Sequence, residues 1–500
     1  MALSQHPLVY EINTWVWLNA HSRKYGRPIT LLNVPAEALD ALASWSLDAV
    51  WLMGVWERSP RGREIALRHP GLQTEYGRAL PGYRPEDVIG SPYAVHGYVV
   101  DERLGGPEGL ARFREQIGRR GLALILDYVP NHVAIDHPWT VEHPECLVKG
   151  TDDDLHRSPG AYFSVSLPDG GRHIFAHGRD PYFPAWTDTA QVDAFSPEAR
   201  QRSRETLLDI ASQCDGVRCD MAMLVTNRVF AQTWSRLSVS NAEFWSEIIP
   251  AVKAQAPGFI FAAEVYWDME WELQQLGFDY TYDKRLYDRL VRDSGRSIRD
   301  HLMAPIEYQE RLVRFVENHD EARALSAFGP RKVIPAAVLA ATLPGMRLFH
   351  DGQFEGRRVK LPVQLGTAPE EPLAADTLAF YRRLLAEVCQ PPYHQGAYMM
   401  LGVHPPPAAA DANPLHENLI AFAWALEPDW RIVIVNYADM HVQGRLMLPR
   451  PAFESAPAWR FEDALNPRRA VTVEGDHLLA EGLPLEMEPY DVIIYRVSAV

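Results

Sequence analysis

Asp215-Gly216-Val217-Arg218-Cys219-Asp220 is the stretch on which the reading of this chain turns. Written as an extended strand, it points alternate side chains to opposite faces. Gly216, Arg218 and Asp220 then share one face, and Val217 and Cys219 the other. A guanidinium two residues before a carboxylate on the same face favours the ionised acid, as a nucleophile requires. Taken alone, the same pattern describes a surface ion pair on an edge strand. Its neighbours along the chain decide between the two.

On both sides of this stretch apolar strand-like runs alternate with helix-like segments, the pattern of a parallel sheet covered by helices. The runs fall at 9–18, 47–56, 122–126, 259–263, 312–316 and 346–350, with helices read at 35–45 and 109–120. After Trp56 a long loop rich in Arg, Gly and Pro is expected to about Gly97. Four runs end in polar residues that a core would not accept: Asp127-Tyr128-Val129-Pro130-Asn131-His132, Arg218 with Asp220, Glu264, and Glu317-Asn318-His319-Asp320. In a parallel α/β barrel, active-site residues stand at the C-terminal ends of the strands. Three carboxylates far apart in sequence, Asp220, Glu264 and Asp320, would then converge on one mouth. Each motif has a plain structural alternative, such as a helix N-cap for Asn318-His319-Asp320 or a turn for Asn131-His132. Four such coincidences in barrel order exclude that alternative.

Five hundred residues correspond to roughly three domains of about 150 residues, although an α/β barrel alone can take about 250. Between 133 and 195 the chain is rich in Pro, Gly, Asp and His with little periodicity. A stretch of that length inside a compact domain is usually a functional insertion. Beyond about residue 390 the helical pattern stops, and runs at 419–424, 431–437, 445–448, 470–473 and 491–497 read as short strands. The expected architecture is a (β/α)8 TIM barrel over residues 1–390, an inserted domain over 133–195, and a C-terminal all-β sandwich domain over 391–500. A net charge of -16 argues against a nucleic-acid partner, since phosphate binding needs a basic surface. Fourteen Trp and twenty Tyr could stack on sugar rings, though cores use most such residues. The four cysteines show neither metal-ligand spacing nor a dense disulfide pattern. The first ten residues carry no basic segment followed by an apolar run, and no apolar stretch approaches the roughly 18 residues of a membrane span. No membrane association and a cytoplasmic location are therefore expected.

Two facing carboxylates are what cleavage of a glycosidic bond needs: one attacks the anomeric carbon, and the other protonates the leaving oxygen. A negative neighbour raises the second group's pKa, so adjacent acids divide the roles. With these residues in this order the sequence resembles the α-amylase superfamily, glycoside hydrolase family thirteen. The four short regions of that family are matched by Asp127, Asn131 and His132; by Gly216-Val217-Arg218-Cys219-Asp220; by Glu264; and by Phe315 through Asp320. Tyr93 and Tyr98 match its aromatic pair after the second strand. Trp186-Thr187-Asp188, Gln191 and Pro197-Glu198-Ala199-Arg200 resemble the segment closing its domain B, and Gly352-Gln353 with Glu355-Gly356 the segment after its eighth strand. Nearly the whole chain is covered.

The resemblance implies a retaining mechanism, with Asp220 as nucleophile, Glu264 as general acid and then base, and Asp320 stabilising the transition state. It implies that Arg218 holds Asp220 ionised, that His132 and His319 donate to sugar hydroxyls, and that Tyr93 stacks on the sugar ring. Asp127 and Asn318 join the substrate-binding set. Glu264 has no basic residue adjacent in sequence and is expected to keep its proton nearer neutrality. The chain departs from the family in two places: Met223 and Leu224 stand where many amylases carry a Lys-His pair on the leaving-group side, and Ala94 stands where small exo-acting glucosidases carry Asp. The second departure points to an open cleft and an oligosaccharide or α-glucan substrate. No cofactor is required by this reading. Calcium is the one candidate ion, with Asn131 and Asp188 as ligands and the run Asp152-Asp153-Asp154 as a further oxygen source. The expected activity is hydrolysis of α-glucosidic linkages in maltooligosaccharides or α-glucans by a monomer or weak oligomer. Transglycosylation through the same intermediate is the alternative, and a non-catalytic carbohydrate-binding relative is disfavoured because all three acids are present.

Overall fold

Among the described residues (3–167, 169–406 and 415–500), eight parallel strands of the computed structural model pair in chain order and close into a barrel. They are β1 (Leu8–Asn13), β2 (Ala49–Met53), β3 (Ala123–Tyr128), β4 (Gly216–Cys219), β5 (Ile260–Ala263), β6 (Tyr280–Tyr282), β7 (Leu312–Arg314) and β8 (Met346–His350). They are buried almost throughout, because helices cover their outer face while side chains fill the inner one. Arg218 on β4 is in register with Asp127 on β3 and with Ala262 on β5. The charged inner side chains of β3 and β4 therefore lie next to each other. Gly216 permits this pairing: a Cβ there would sit 2.9 Å from both the Cβ and the carbonyl oxygen of Ile260.

Three early expectations need correction. The run at 9–18 is not one strand. Asn13 ends β1, and its side chain accepts from the Val16 N–H at 3.4 Å to cap the helix Thr14–Tyr25. The apolar residues Trp15 to Leu18 are then buried as a helix face rather than as strand. The run at 47–56 divides at Gly54, whose φ of 78° turns the chain out of the barrel. Beyond it, Trp56–Arg58 pairs antiparallel with Val95–Val100. Between these two strands, where a loop was expected, lie the helices Pro60–Arg68 and Pro70–Ala79, each with proline in its first turn. Ser59 caps the first, its hydroxyl oxygen accepting from the Gly62 N–H at 2.7 Å.

After β3 the chain makes an excursion with its own small sheets. His132–Ala134 pairs with Thr189–Gln191, and Tyr162–Ser166 pairs with Arg172–Ala176. Val133, Ile135, Leu147, Phe163 and Phe175 form a core beneath them. In the C-terminal part an antiparallel sheet of six strands and another of three share a core that includes Leu419, Ile432, Ile434, Leu446, Leu485 and Met487. Strands Ala397–Met400, Ala458–Asp463 and Leu483–Met487 go beyond those read from the sequence. So do the short helices Pro392–Gln395, Arg450–Phe453 and Gly475–Glu481. This part is joined to the barrel by specific bonds. Trp424 Nε1 donates to the Thr342 carbonyl at 2.7 Å, the Tyr437 hydroxyl donates to the Leu290 carbonyl at 2.6 Å, and Arg431 reaches the buried Glu387 at 2.8 Å. Among the described residues no helix is long and apolar enough to cross a membrane.

Candidate active site

A cavity of about 360 Å³ opens at the C-terminal end of the barrel, and Tyr93, His132, Trp186, Asp220, Glu264 and Asp320 line it. Strand pairing puts the acids there. The Asp220 N–H donates to the Tyr128 carbonyl at 2.8 Å, and the Glu264 N–H to the Cys219 carbonyl at 3.0 Å. Each carboxylate thus stands one residue past the end of its strand. Below them Arg218, 2% exposed, donates from Nη1 to Asp220 Oδ1 at 2.8 Å and from Nη2 to Glu264 Oε2 at 2.7 Å. Its Nη1 is also 3.6 Å from Asp127 Oδ1, and its Nη2 is 4.0 Å from Asp320 Oδ2. The guanidinium lies 5.4 Å from the ring centroid of Trp51, 5.0 Å from Tyr93 and 5.9 Å from Tyr282, so three rings enclose it. One cation serves four carboxylates. The sequence reading gave Arg218 to Asp220 alone. Parallel pairing of β4 with β5 brings it to Glu264 as well.

Burial pushes the Asp220 carboxyl up to about 8; Arg218 opposes this, and the charges of Glu264 and Asp320 reinforce it. Arg218 was expected to hold Asp220 ionised; burial outweighs its pull, so the carboxyl keeps its proton to higher pH than a free acid does. Glu264 Oε1 accepts from the Tyr266 hydroxyl at 2.8 Å, and its Oε2 accepts from the Met221 N–H at 2.8 Å. Asp320 behaves in the opposite way. Burial would raise it, but His319 outweighs burial and holds it well below the usual carboxylate range. Burial would likewise lower His319, yet Asp320 and Glu11 hold it well above the usual histidine value. Its Nδ1 is hydrogen-bonded to Glu11 Oε1. Its Nε2 lies 2.7 Å from the Tyr93 hydroxyl and 2.9 Å from Asp320 Oδ2. Burial pushes Asp127 up to about 6 against the pull of Arg218, and its Oδ2 accepts from the Gly54 N–H at 3.2 Å.

Of the residues expected at the site, Asp220, Glu264, Asp320, Tyr93, His132 and Asp188 line the cavity. Arg218, Asp127 and His319 form the layer beneath. Asn318 is used by its own loop: its Oδ1 accepts from the N–H groups of Asp320 and Glu321, both at 2.9 Å. Met223, Leu224 and Ala94 are buried and do not line the cavity. Glu11, Trp51, Tyr282, Tyr266 and Met221 join the site without having been anticipated. Glu11 carried a signal, a lone acid in the apolar run of β1, and Tyr266 follows Glu264 at strand spacing.

No family model matches the sequence. Over 330 residues the chain is 27% identical to alpha-amylase MalA of Haloarcula japonica, a match spanning 64% of this chain and 41% of that protein. Over 365 residues it is 21% identical to alpha-amylase 3 of Dictyoglomus thermophilum, spanning 69% and 64%. A 25% match over 300 residues, 57% of this chain and 23% of the other, links it to an alpha-1,4-glucan:maltose-1-phosphate maltosyltransferase of Burkholderia pseudomallei. The matches therefore span less than two thirds of each relative. In sequence the chain is thus similar to alpha-amylases. Its fold agrees: a maltogenic alpha-amylase, AmyB, from Thermotoga neapolitana superposes over 100% of both chains with a TM-score of 0.68 at 17% identity. An alpha-amylase from Geobacillus thermoleovorans, solved with acarbose, superposes over 100% of this chain and 99% of its own at 0.67 and 16%.

Within the barrel and its excursion, Asn131 and Asp188 do not form the expected calcium site. His132 pairs with Gln191, and Ile135 bonds back to Asp188. The two residues thus lie about four ladder steps apart, on the order of 13 Å. Asn131 is also committed: Gln191 Nε2 donates to its Oδ1 at 3.0 Å and to its carbonyl at 2.8 Å. The triple aspartate does not supply the site either. Asp152, Asp153 and Asp154 open the helix Asp152–Arg157, where Asp154 closes a capping box with Thr151. Among the described residues one cluster of three metal-type side chains occurs, at His143, Glu145 and Glu198, and it includes none of these.

Proposed function

We propose that the chain is a retaining α-glycosidase that cleaves α-glucosidic linkages of maltooligosaccharides or α-glucans by double displacement. The observation that carries this reading is the single guanidinium of Arg218 holding an oxygen of both Asp220 and Glu264 at the barrel mouth. Such closeness suits retention, in which carboxyls stand about 5–5.5 Å apart, rather than inversion, which needs room for a water between them. Tyr93 lies under the bound sugar ring and His132, kept neutral by burial that lowers it to about 4, faces its hydroxyls. Asp220 attacks the anomeric carbon and the glycosidic bond breaks as Glu264 gives its proton to the leaving oxygen. Glu264 then takes a proton from water, whose oxygen displaces Asp220. Asp320, held ionised by His319, faces the positive charge that develops on the ring between these steps.

A second reading is transfer to a sugar hydroxyl in place of water, favoured by the match to a maltosyltransferase. In either reading the working units are the barrel over 1–390, domain B over 133–195 and the C-terminal domain over 391–500. The protein works as a monomer or weak oligomer without a required ion. The free cysteines, three of them buried, support a cytoplasmic location. Incubation with maltooligosaccharides of several lengths, with and without an added acceptor sugar, tests the activity. Shorter saccharides without an acceptor indicate hydrolysis, and elongated products indicate transfer. NMR of the first-formed product should show the α-anomer; the β-anomer first would overturn double displacement.

A further inference from the structure

Glu11 is the one acid in the apolar run of β1. Along the strand it shares a face with Val9 and Asn13, and its neighbours in register are Trp51 on β2 and His350 on β8. That face turns into the barrel, where the Glu11 carboxyl is fully buried. One oxygen, Oε1, is hydrogen-bonded to His319 Nδ1. The other, Oε2, is buried with no hydrogen-bond partner among the described residues. A buried carboxylate with a single bond costs stability that an apolar side chain at the same place would not. Groups of this kind are retained where a site uses them.

What Glu11 serves is the protonation of His319, which meets a carboxylate at each ring nitrogen. Its Nε2 lies 2.9 Å from Asp320 Oδ2 and 2.7 Å from the Tyr93 hydroxyl. A carboxylate only accepts, so each nitrogen must carry a proton, whereas a neutral imidazole has one proton for both. The ring is therefore held as an imidazolium between Glu11 and Asp320. No other neighbour replaces Glu11 in this. Trp51 meets the ring edge-on at 5.6 Å and Tyr282 on β6 lies near Glu11, both without charge. Asp127 on β3 is 3.6 Å from Arg218, and His350 is bonded to Glu317 and Arg323. Glu321 and Asp351, which line a narrow cavity with His319, are paired with Lys284 and Arg357. Arg218 on β4 and Lys360 beyond β8, whose Nζ donates to the Asp320 carbonyl, are cations and oppose a positive ring. The consequence falls on Asp320. Its side chain is 43% exposed and stands 4.0 Å from Arg218 Nη2, beyond hydrogen-bond reach. The Nε2 proton is what holds it.

We propose that Glu11 is a positioning residue: through Nδ1 it keeps His319 doubly protonated, and the Nε2 proton then fixes Asp320 beside the sugar ring. The proposal rests on the glycosidase reading above and deepens it by naming what keeps Asp320 in place. Its test is Glu11→Gln in the full-length protein, because the amide oxygen still accepts from the Nδ1 proton but carries no charge. α-Glucosyl fluoride is the substrate. Fluoride departs without the proton of Glu264, so the alkaline limb of kcat/KM is free of that acid. In Glu11→Gln this limb should move down by about one pH unit or more, the worth of an opposite charge within hydrogen-bond reach, with the acid limb unmoved. Glu11→Asp keeps the charge and should restore most of the limb. An alkaline limb in Glu11→Gln that coincides with that of wild type would overturn the proposal, since a merely structural role lowers the plateau alone. Nitrogen NMR of isotope-labelled histidine rings in wild type needs neither activity nor a folded Glu11 variant. Near pH 8, above the usual histidine value, His319 should carry a proton on both nitrogens, its signals identified by their loss in His319→Gln. A single ring proton there would overturn the proposal. Wild-type protein inactive on both α-glucosyl fluoride and maltoheptaose would overturn the glycosidase reading and the positioning role with it, while two ring protons would leave the hold of Glu11 on His319 standing.

Discussion

Replacing Asp220 with Asn should raise the stability of the fold while removing activity, and the gain should grow with pH. Asp220 is buried, and burial together with two negative neighbours pushes its carboxyl up to about 8 from 3.8. A raised folded-state value means that the native state favours the protonated acid. The stability linked to that proton is complete below the unfolded value and is lost as pH climbs through the folded one. At about 1.4 kcal/mol per unit, the loss is about 2 kcal/mol near pH 5 and about 4 kcal/mol at pH 7. Three other carboxylates lie around the same guanidinium, so each figure is an upper bound. Asparagine carries no charge to bury, and its Oδ1 can still accept from Arg218. Scanning calorimetry of wild type and variant should show the variant melting a few degrees higher near pH 8 and within about a degree near pH 5. An equal gain at both pH values, or a variant that melts below wild type near pH 8, would refute the reasoning.

Removing the cation should act in the opposite sense. Arg218→Met leaves buried carboxylates without their partner and should cost about 3–5 kcal/mol in urea unfolding at pH 7, with activity lost. Arg218→Lys should recover only part of this, since an ammonium cannot bridge Asp220 and Glu264 as a planar fork does. Treatment with EDTA should shift neither the melting temperature nor the hydrolysis rate, because Gln191 already occupies Asn131 Oδ1; a drop reversed by added calcium would contradict this.

The parts of the site that were legible in the sequence are those in which one chemical type stands out locally. Glu264 follows five apolar residues, and Asp220 stands two residues beyond Arg218 on one strand face; each marks a strand end without any knowledge of its neighbours. What remained hidden depends on neighbours. The reach of Arg218 to Glu264 follows from the β4–β5 register, which no single segment encodes. The separation of Asn131 from Asp188 follows from the offset of one short ladder. β6 spans only Tyr280–Tyr282 between two aspartates, too short for periodicity to show. The start of the first helix at Thr14 was masked by aromatic and β-branched residues that suit a strand equally well. There the cap at Asn13 and burial of the helix face outweigh local preference.

The central claim is that Asp220 attacks and Glu264 protonates, and trapping the intermediate tests it most directly. Glu264→Gln should lose activity on maltooligosaccharides, whose departing oxygen needs a proton, yet still react with α-glucosyl fluoride, whose fluoride departs without one. Breakdown of the intermediate needs the missing base, so a glucosyl-enzyme should accumulate. Mass spectrometry of the intact variant should show one added glucosyl unit, and peptide mapping should place it on Asp220. Asp220→Asn treated in the same way should show none. An adduct mapped to another carboxylate, or a Glu264→Gln variant that still hydrolyses maltooligosaccharides at the wild-type rate, would contradict the assignment.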